Sequence, residues 1–145
     1  MDLGLTGRLA MITGGSRGLG KQIAQTLARE GCKLSICARS QDSLDETLME
    51  LRSQGYEAEG TVADVTDPED GVRFYKDTLN TLGNPDILIN NVGGRRGSAD
   101  FQETTMEQFQ EGLEVNLMSA VRLSRLVLDH MKNQKWGRII NISSI

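Results

Sequence analysis

The chain is poor in the residues that build metal centres and disulfide frameworks. His130 is its only histidine, and Cys32 and Cys37 are its only cysteines. No ligand spacing for a metal appears, so no metal is expected. The two cysteines flank one short strand pattern at odd separation. They therefore point to opposite faces, which argues against a bridge and for reduced thiols in a cytoplasmic protein. No apolar run reaches the ~20 residues that a membrane helix needs. Met1-Asp2-Leu3-Gly4 lacks the basic region and apolar core of a signal peptide. The formal net charge is −4 and no basic face is visible, so neither nucleic acid nor a membrane is an expected partner. There is no internal repeat, no low-complexity tract and no linker.

What remains is an alternation of apolar runs and helical stripes, in a chain long enough for one domain over residues 1–145. That alternation predicts an α/β fold, a doubly wound parallel sheet covered by helices on both faces. Strands are expected at Arg8–Thr13, Lys33–Ala38, Glu59–Ala63, Ile87–Ile89 and Gly137–Ile142. Right-handed crossovers make 3-2-1-4-5 the natural strand order. The first helix should bury Ile23, Ala24, Leu27 and Ala28 and stop at Gly31. The second carries a capping-box pattern, Ser43-Leu44-Asp45-Glu46, a Leu44, Leu48, Leu51 stripe and a stop at Gly55. Asp67-Pro68 starts a third, with Val72, Tyr75, Leu79 and Leu82 inward and a stop at Gly83. Thr105 to Gln108 should cap one long helix with Phe109, Leu113, Leu117, Ala120, Val121, Val127 and Met131 mostly inward. The methionines read as core filler and His130 as an exposed helix residue. Lys132, Lys135 and Arg138 should frame Trp136 at a helix end.

The chemistry is concentrated in Thr13-Gly14-Gly15-Ser16-Arg17-Gly18-Leu19-Gly20. It follows an apolar run and opens the amphipathic segment Lys21–Glu30, the strand, glycine turn and helix of a dinucleotide site. Gly14 suits the tight turn, Gly18 lets a pyrophosphate approach the backbone, and Gly20 lets the helix pack closely. The helix N-terminus offers unpaired N–H groups and a partial positive charge to phosphates. Ser16 and Leu19 belong to the same turn.

The end of the second strand selects the dinucleotide. An NAD site has a carboxylate there for the ribose 2′-OH. This chain has Ala38-Arg39-Ser40 instead, and Arg17 reaches the same place from the glycine turn. Two guanidiniums and a hydroxyl suit a 2′-phosphate, which favours NADP as the cofactor.

Further motifs follow in order: Ala63-Asp64-Val65, then Asn90-Asn91-Val92-Gly93, then Asn116 inside the long helix, then Asn141-Ile142-Ser143-Ser144. With the glycine turn they resemble the short-chain dehydrogenase/reductase family along the whole chain. The resemblance implies a Rossmann-like fold and oxidoreductase activity on a small carbonyl or alcohol substrate, in a homo-oligomer, dimer or tetramer. It implies that Asp64 accepts from the adenine amino group with Val65 beside the ring. Asn90, Asn91 and Gly93 would stabilise the sheet and line the adenosine side. Asn116 would hold a water in a proton relay, and Ser144 would bind the substrate carbonyl, with Ser143 as the alternative register. Val92 stands where the family usually has alanine. Arg95 and Arg96, in the loop after the fourth strand, could meet an acidic substrate or an acyl carrier's phosphate, or simply face solvent.

One part of the family pattern has no counterpart in the chain. The general acid is a tyrosine in Tyr-x-x-x-Lys, beyond the serine. The only tyrosines are Tyr56 and Tyr75, and positions 60 and 79 are Gly60 and Leu79. The expectation is therefore the cofactor-binding part of a longer NADP-dependent enzyme, lacking the last strands and helices and by itself inactive. A silent NADP-binding or regulatory module is the competing reading, and a subunit completed by a partner is a third.

Overall fold

In the computed structural model, which describes residues 2–98 and 100–143, five parallel strands form one sheet in the order β3-β2-β1-β4-β5. The elements are β1 (Leu9–Thr13), α1 (Gly18–Arg29), β2 (Lys33–Ala38), α2 (Gln41–Ser53), β3 (Ala58–Val62) and α3 (Pro68–Thr81). Next come β4 (Ile87–Asn90), α4 (Met106–Leu113), a π-helical turn (Glu114–Met118), α5 (Ser119–Asn133) and β5 (Arg138–Asn141). The expected strand order holds. The third strand lies one residue earlier than its apolar pattern suggests, paired from Leu34↔Ala58 to Ala38↔Val62.

Strand alternation sorts the core into two halves. Ala10, Ile12, Leu34, Ile36, Ile87 and Ile89 face α1 and α2. Met11, Cys37 and Leu88 face Phe74 of α3 and Leu123, Val127 and Met131 of α5. Cys32 falls in the first half and Cys37 in the second, and both are free thiols. Gly31, Gly55 and Gly83 follow the helix ends with φ of 86°, 84° and 104°, the left-handed geometry that glycine adopts without penalty.

Several helical details differ from the pattern expected of the sequence. The N-cap of α2 is Ser40, whose side chain accepts from the Ser43 amide, so Ser43 lies inside the first turn and its capping box does not form. In α3 the buried side is Gly71, Phe74 and Thr78, and Val72 is exposed. Asp67 and Pro68 do start that helix as expected. The long helix is not continuous. Its Thr105–Gln108 capping box is present, but the π turn inserts a residue and rotates the remaining turns. Val115, Ser119, Leu123, Val127 and Met131 become the buried stripe, while Phe109, Leu113, Leu117 and Val121 are exposed. Met49, Met106 and Met118 are exposed too, so only Met11 and Met131 fill core among the described methionines.

The N-terminal ends of the central strands are tied by Asp86. Its Oδ2 accepts from the Leu9 amide at 3.0 Å, and its Oδ1 accepts from Gln134 at 2.7 Å and from Arg8 at 3.4 Å. His130 is half-buried rather than exposed, with Nε2 3.8 Å from the same carboxylate. Arg8 and Arg138 stack on Trp136, 3.9 and 4.8 Å from the ring centroid. Of the cations expected around that ring, Arg138 is the one in stacking contact, and Arg8 joins it from near the other end of the chain.

Two outcomes are expected. Asp86→Ala leaves the Leu9 amide without its acceptor, while Gln134 keeps the Trp136 carbonyl, and should cost about 1–3 kcal/mol; an unchanged urea midpoint would remove Asp86 from this role. Burial pushes the Cys37 thiol up to about 12, so disulfide reagents at neutral pH should modify it only after unfolding. Native and urea-unfolded protein reacting at equal rates would contradict that burial.

Candidate functional site

The site begins where β1 ends. Gly14 has φ 63°, so the chain turns sharply there in a geometry that disfavours side chains. A Cβ on Gly20, in the first turn of α1, would overlap the Gly14 carbonyl and meet the Asn91 amide. Gly15 is equally confined: a Cβ there would lie 2.8 Å from Cβ of Ile36. Spacing alone does not reveal this, because only the first, third and fourth glycines of the turn match a dinucleotide pattern. Gly18 starts α1 with φ 52°, and a Cβ there would meet nothing within 4 Å.

The N-terminus of α1 is left open. Arg17 is its N-cap residue and makes no side-chain cap, whereas Ser40, Asp67 and Thr105 cap α2, α3 and α4. Unpaired amides and the helix dipole therefore face the glycine turn, which suits an anion.

Two residues fasten this turn to the loop after β4. Asn91 donates through Nδ2 to the carbonyls of Thr13 and Gly14, at 3.1 and 3.3 Å. The Thr13 hydroxyl accepts from the amides of Asn91 and Val92, at 2.9 and 3.0 Å. Above this floor lies a cleft of about 270 Å³. Gly14, Ser16 and Arg17 line one side, Ala38 and Arg39 the end of β2, Asp64, Val65 and Thr66 the segment after β3, and Asn91, Gly93, Arg96 and Val115 the far side.

The structure thus brings most of the expected cofactor residues together. Gly18, Leu19, Gly20 and Ser40 stand outside that lining. The Ser40 hydroxyl oxygen accepts from the Ser43 amide in the α2 cap, which leaves its O–H free to donate, and Leu19 is exposed. Ser16 is buried, with Oγ 3.0 Å from Oγ of Ser43. Arg17, Arg39 and Arg96 form no ion pair among the described residues, so the cleft carries uncompensated positive charge in a molecule of net charge −4.

The one carboxylate in the lining, Asp64, accepts from the amide and hydroxyl of Thr66 at 3.0 and 2.7 Å. Its own amide donates to Asp70 at 2.9 Å. That bond, with the Arg73 guanidinium second, holds the Asp70 carboxyl below its usual range. Arg122 donates to the carbonyls of Val65 and Thr66 and pairs with Glu114, so α5 fixes the same turn from behind. No local pattern in the sequence could have singled out Arg122.

A second cleft adjoins the first across Asn91, Val92 and Gly93. Asn116 lines it, inside the π turn. Its Nδ2 donates to the carbonyls of Gly94 and Gly112 at 2.8 and 2.9 Å, and its Oδ1 accepts from the Gly94 amide at 2.8 Å. Asn116 therefore anchors the loop after β4. Asn90 donates to Asn141 at 2.9 Å, and its buried Oδ1 has no partner among the described residues. Ser143 lines this cleft; Ser144 lies outside the described residues. Arg95 lines this second cleft and Arg96 the first, so the two neighbouring arginines serve different spaces.

Comparison with known proteins agrees with this arrangement. The family model for short chain dehydrogenase matches residues 8–145. An uncharacterized oxidoreductase of Bacillus subtilis, YvrD, is 38% identical over 99% of this chain and 54% of its own length. The 3-oxoacyl-[acyl-carrier-protein] reductase FabG of Vibrio cholerae is 36% identical over 99% of this chain and 57% of its own. The crystal structure of L-sorbose reductase from Gluconobacter frateurii, complexed with NADPH and L-sorbose, superposes with a TM-score of 0.90 at 34% identity. It is matched over 96% of this chain and 53% of that one. The chain spans about half the length of the curated relatives it matches. A parallel sheet in the order 3-2-1-4-5, a glycine turn clasped to the β4 loop, and these relatives together identify the chain as a member of the short chain dehydrogenase family of oxidoreductases.

Proposed function

We propose that the chain is the cofactor-binding part of an NADP(H)-dependent oxidoreductase that reduces a small carbonyl compound or oxidises the matching alcohol. The observation that carries this is the cleft beside the glycine turn, lined by Arg17 of that turn and by Arg39 after a β2 that ends without a carboxylate, both without an ion pair among the described residues. A free ribose 2′-OH would give these guanidiniums nothing to bind, whereas a 2′-phosphate suits both. The NADPH in the sorbose reductase complex supports the choice by likeness.

The residues fit such a group. Gly14, the open amides of α1 and Gly18 would take the pyrophosphate, Asp64 and Val65 the adenine, and Asn91 and Gly93 the adenosine side. Bound, the nicotinamide would supply hydride. Asn116 holds the loop between the two clefts and, with Ser144, would serve the reacting end. The small substrate, an assembly of two or four copies, and a cytoplasmic setting belong to the same proposal.

A second reading is a nucleotide-binding module without turnover; residues 1–145 themselves hold no Tyr-x-x-x-Lys. A positioned acid contributes ~10²–10⁴-fold to carbonyl reduction, and Ser144 alone is too weak an acid to replace it. Steady oxidation of NADPH on adding ketones, by this chain alone, would exclude the module.

Titration calorimetry tests the cofactor choice. NADPH should bind about 10- to 100-fold more tightly than NADH, from charge-assisted hydrogen bonds of roughly 1.5 kcal/mol each. Arg39→Asp should abolish or invert that ratio. Equal affinities in the unaltered chain would overturn the NADP assignment.

A further inference from the structure

Resting on the reading that the cleft takes a phosphorylated adenosine, we propose that Arg96 is a purine-recognition residue, its guanidinium lying over the exposed face of the adenine. Arg17 and Arg39 approach the cleft from the β1 and β2 side. Arg96 approaches from the loop after β4, on the opposite wall. It also lines a shallow neighbouring cleft with Thr66, Glu111, Glu114 and Val115. Arg96 therefore borders both clefts from the loop after β4, sharing Thr66 and Val115 between them, with Nη1 folded back beside Gly94.

The loop that presents it is anchored on both sides. Asn116 holds the amide and the carbonyl of Gly94, each at 2.8 Å. Gly97 has φ 83°, and a Cβ there would lie 2.6 Å from Cγ2 of Thr104. Between these points Arg96 Nη1 donates to the Arg95 carbonyl at 3.0 Å. The neighbouring carboxylate of Glu114 is paired with Arg122, and Arg96 makes no ion pair with it or with Glu111 of the same shallow cleft.

The chemistry matches the place. Val65 and Val115 are buried and give the slot an apolar side. The other side needs a cover that remains wet on its outer face. A planar guanidinium meets that need, because it stacks flat on a π system and is only weakly hydrated. An ammonium at the same point would supply charge without the stacking plane.

A double-mutant cycle on NADPH affinity tests this, using the unaltered chain, Arg96→Ala, Arg39→Ala and the double variant, with Arg96→Lys as a further arm. Removing the Arg96 guanidinium should weaken NADPH about 5-fold, as expected for a stacked cation, and by the same factor in the Arg39→Ala background, since the two groups touch different parts of the ligand. Arg96→Lys should recover less than half of the loss. A loss that vanishes when Arg39 is absent makes Arg96 a phosphate ligand and overturns the proposal. So does no loss from Arg96→Ala while Arg39→Ala still weakens binding, a result that leaves the NADP assignment standing. Failure of the unaltered chain to bind NADPH overturns both.

Discussion

The clasp between the end of β1 and the loop after β4 is the contact on which the rest of the molecule depends. In a sheet ordered 3-2-1-4-5, chain direction reverses its walk between β1 and β4, and the loops above them diverge to opposite faces. A crevice opens there because nothing fills the gap between diverging crossovers. Left alone, the two loops would also leave backbone groups unpaired. Thr13 and Asn91 prevent this by bonding across the gap. Gly20 makes the arrangement possible, since any side chain there would strike the Gly14 carbonyl. The glycine turn, the open end of α1 and the floor of the cleft all take their positions from those bonds.

The two ends of the sheet have different tasks. At the N-terminal ends of the strands, the Asp86 carboxylate gathers Leu9, Arg8 and Gln134, and stacked cations cover Trp136. The Asp86 carboxylate is paired there and the Leu9 amide is satisfied, as buried backbone requires. At the C-terminal ends, Arg17, Arg39 and Arg96 form no ion pair among the described residues and α1 begins without a side-chain cap. These groups are exposed, so water satisfies them when nothing is bound, and a bound anion would reach them together.

The π turn links the clefts to the helix that backs them. It places Asn116 where its amide can hold both backbone groups of Gly94. It also shifts α5 so that Arg122 reaches the carbonyls of Val65 and Thr66. The same rotation turns Leu117, Val121 and Leu128 toward the second cleft and leaves them exposed. Helical periodicity alone assigns several of those residues to the core, because one inserted residue carries no compositional mark.

The fold class, the strand order and the glycine turn were legible in the amino-acid order because each follows from local rules: apolar runs make buried strands, glycines permit left-handed turns, and crossovers have one hand. The missing carboxylate after β2 was equally plain, since it depends on one position beside one strand. Side-chain destinations were not local. The Ser40 hydroxyl oxygen caps α2 by accepting from Ser43, a use that its place after β2 did not announce, and its O–H remains free to donate. Phe74 rather than Val72 entered the core because the sheet fixed the angle at which α3 docks. Arg95 and Arg96 were indistinguishable neighbours until the Asn116 anchor and the Gly97 turn sent them to separate clefts. Short-range chemistry decided which elements form; the packing of elements far apart in sequence decided which of their side chains meet.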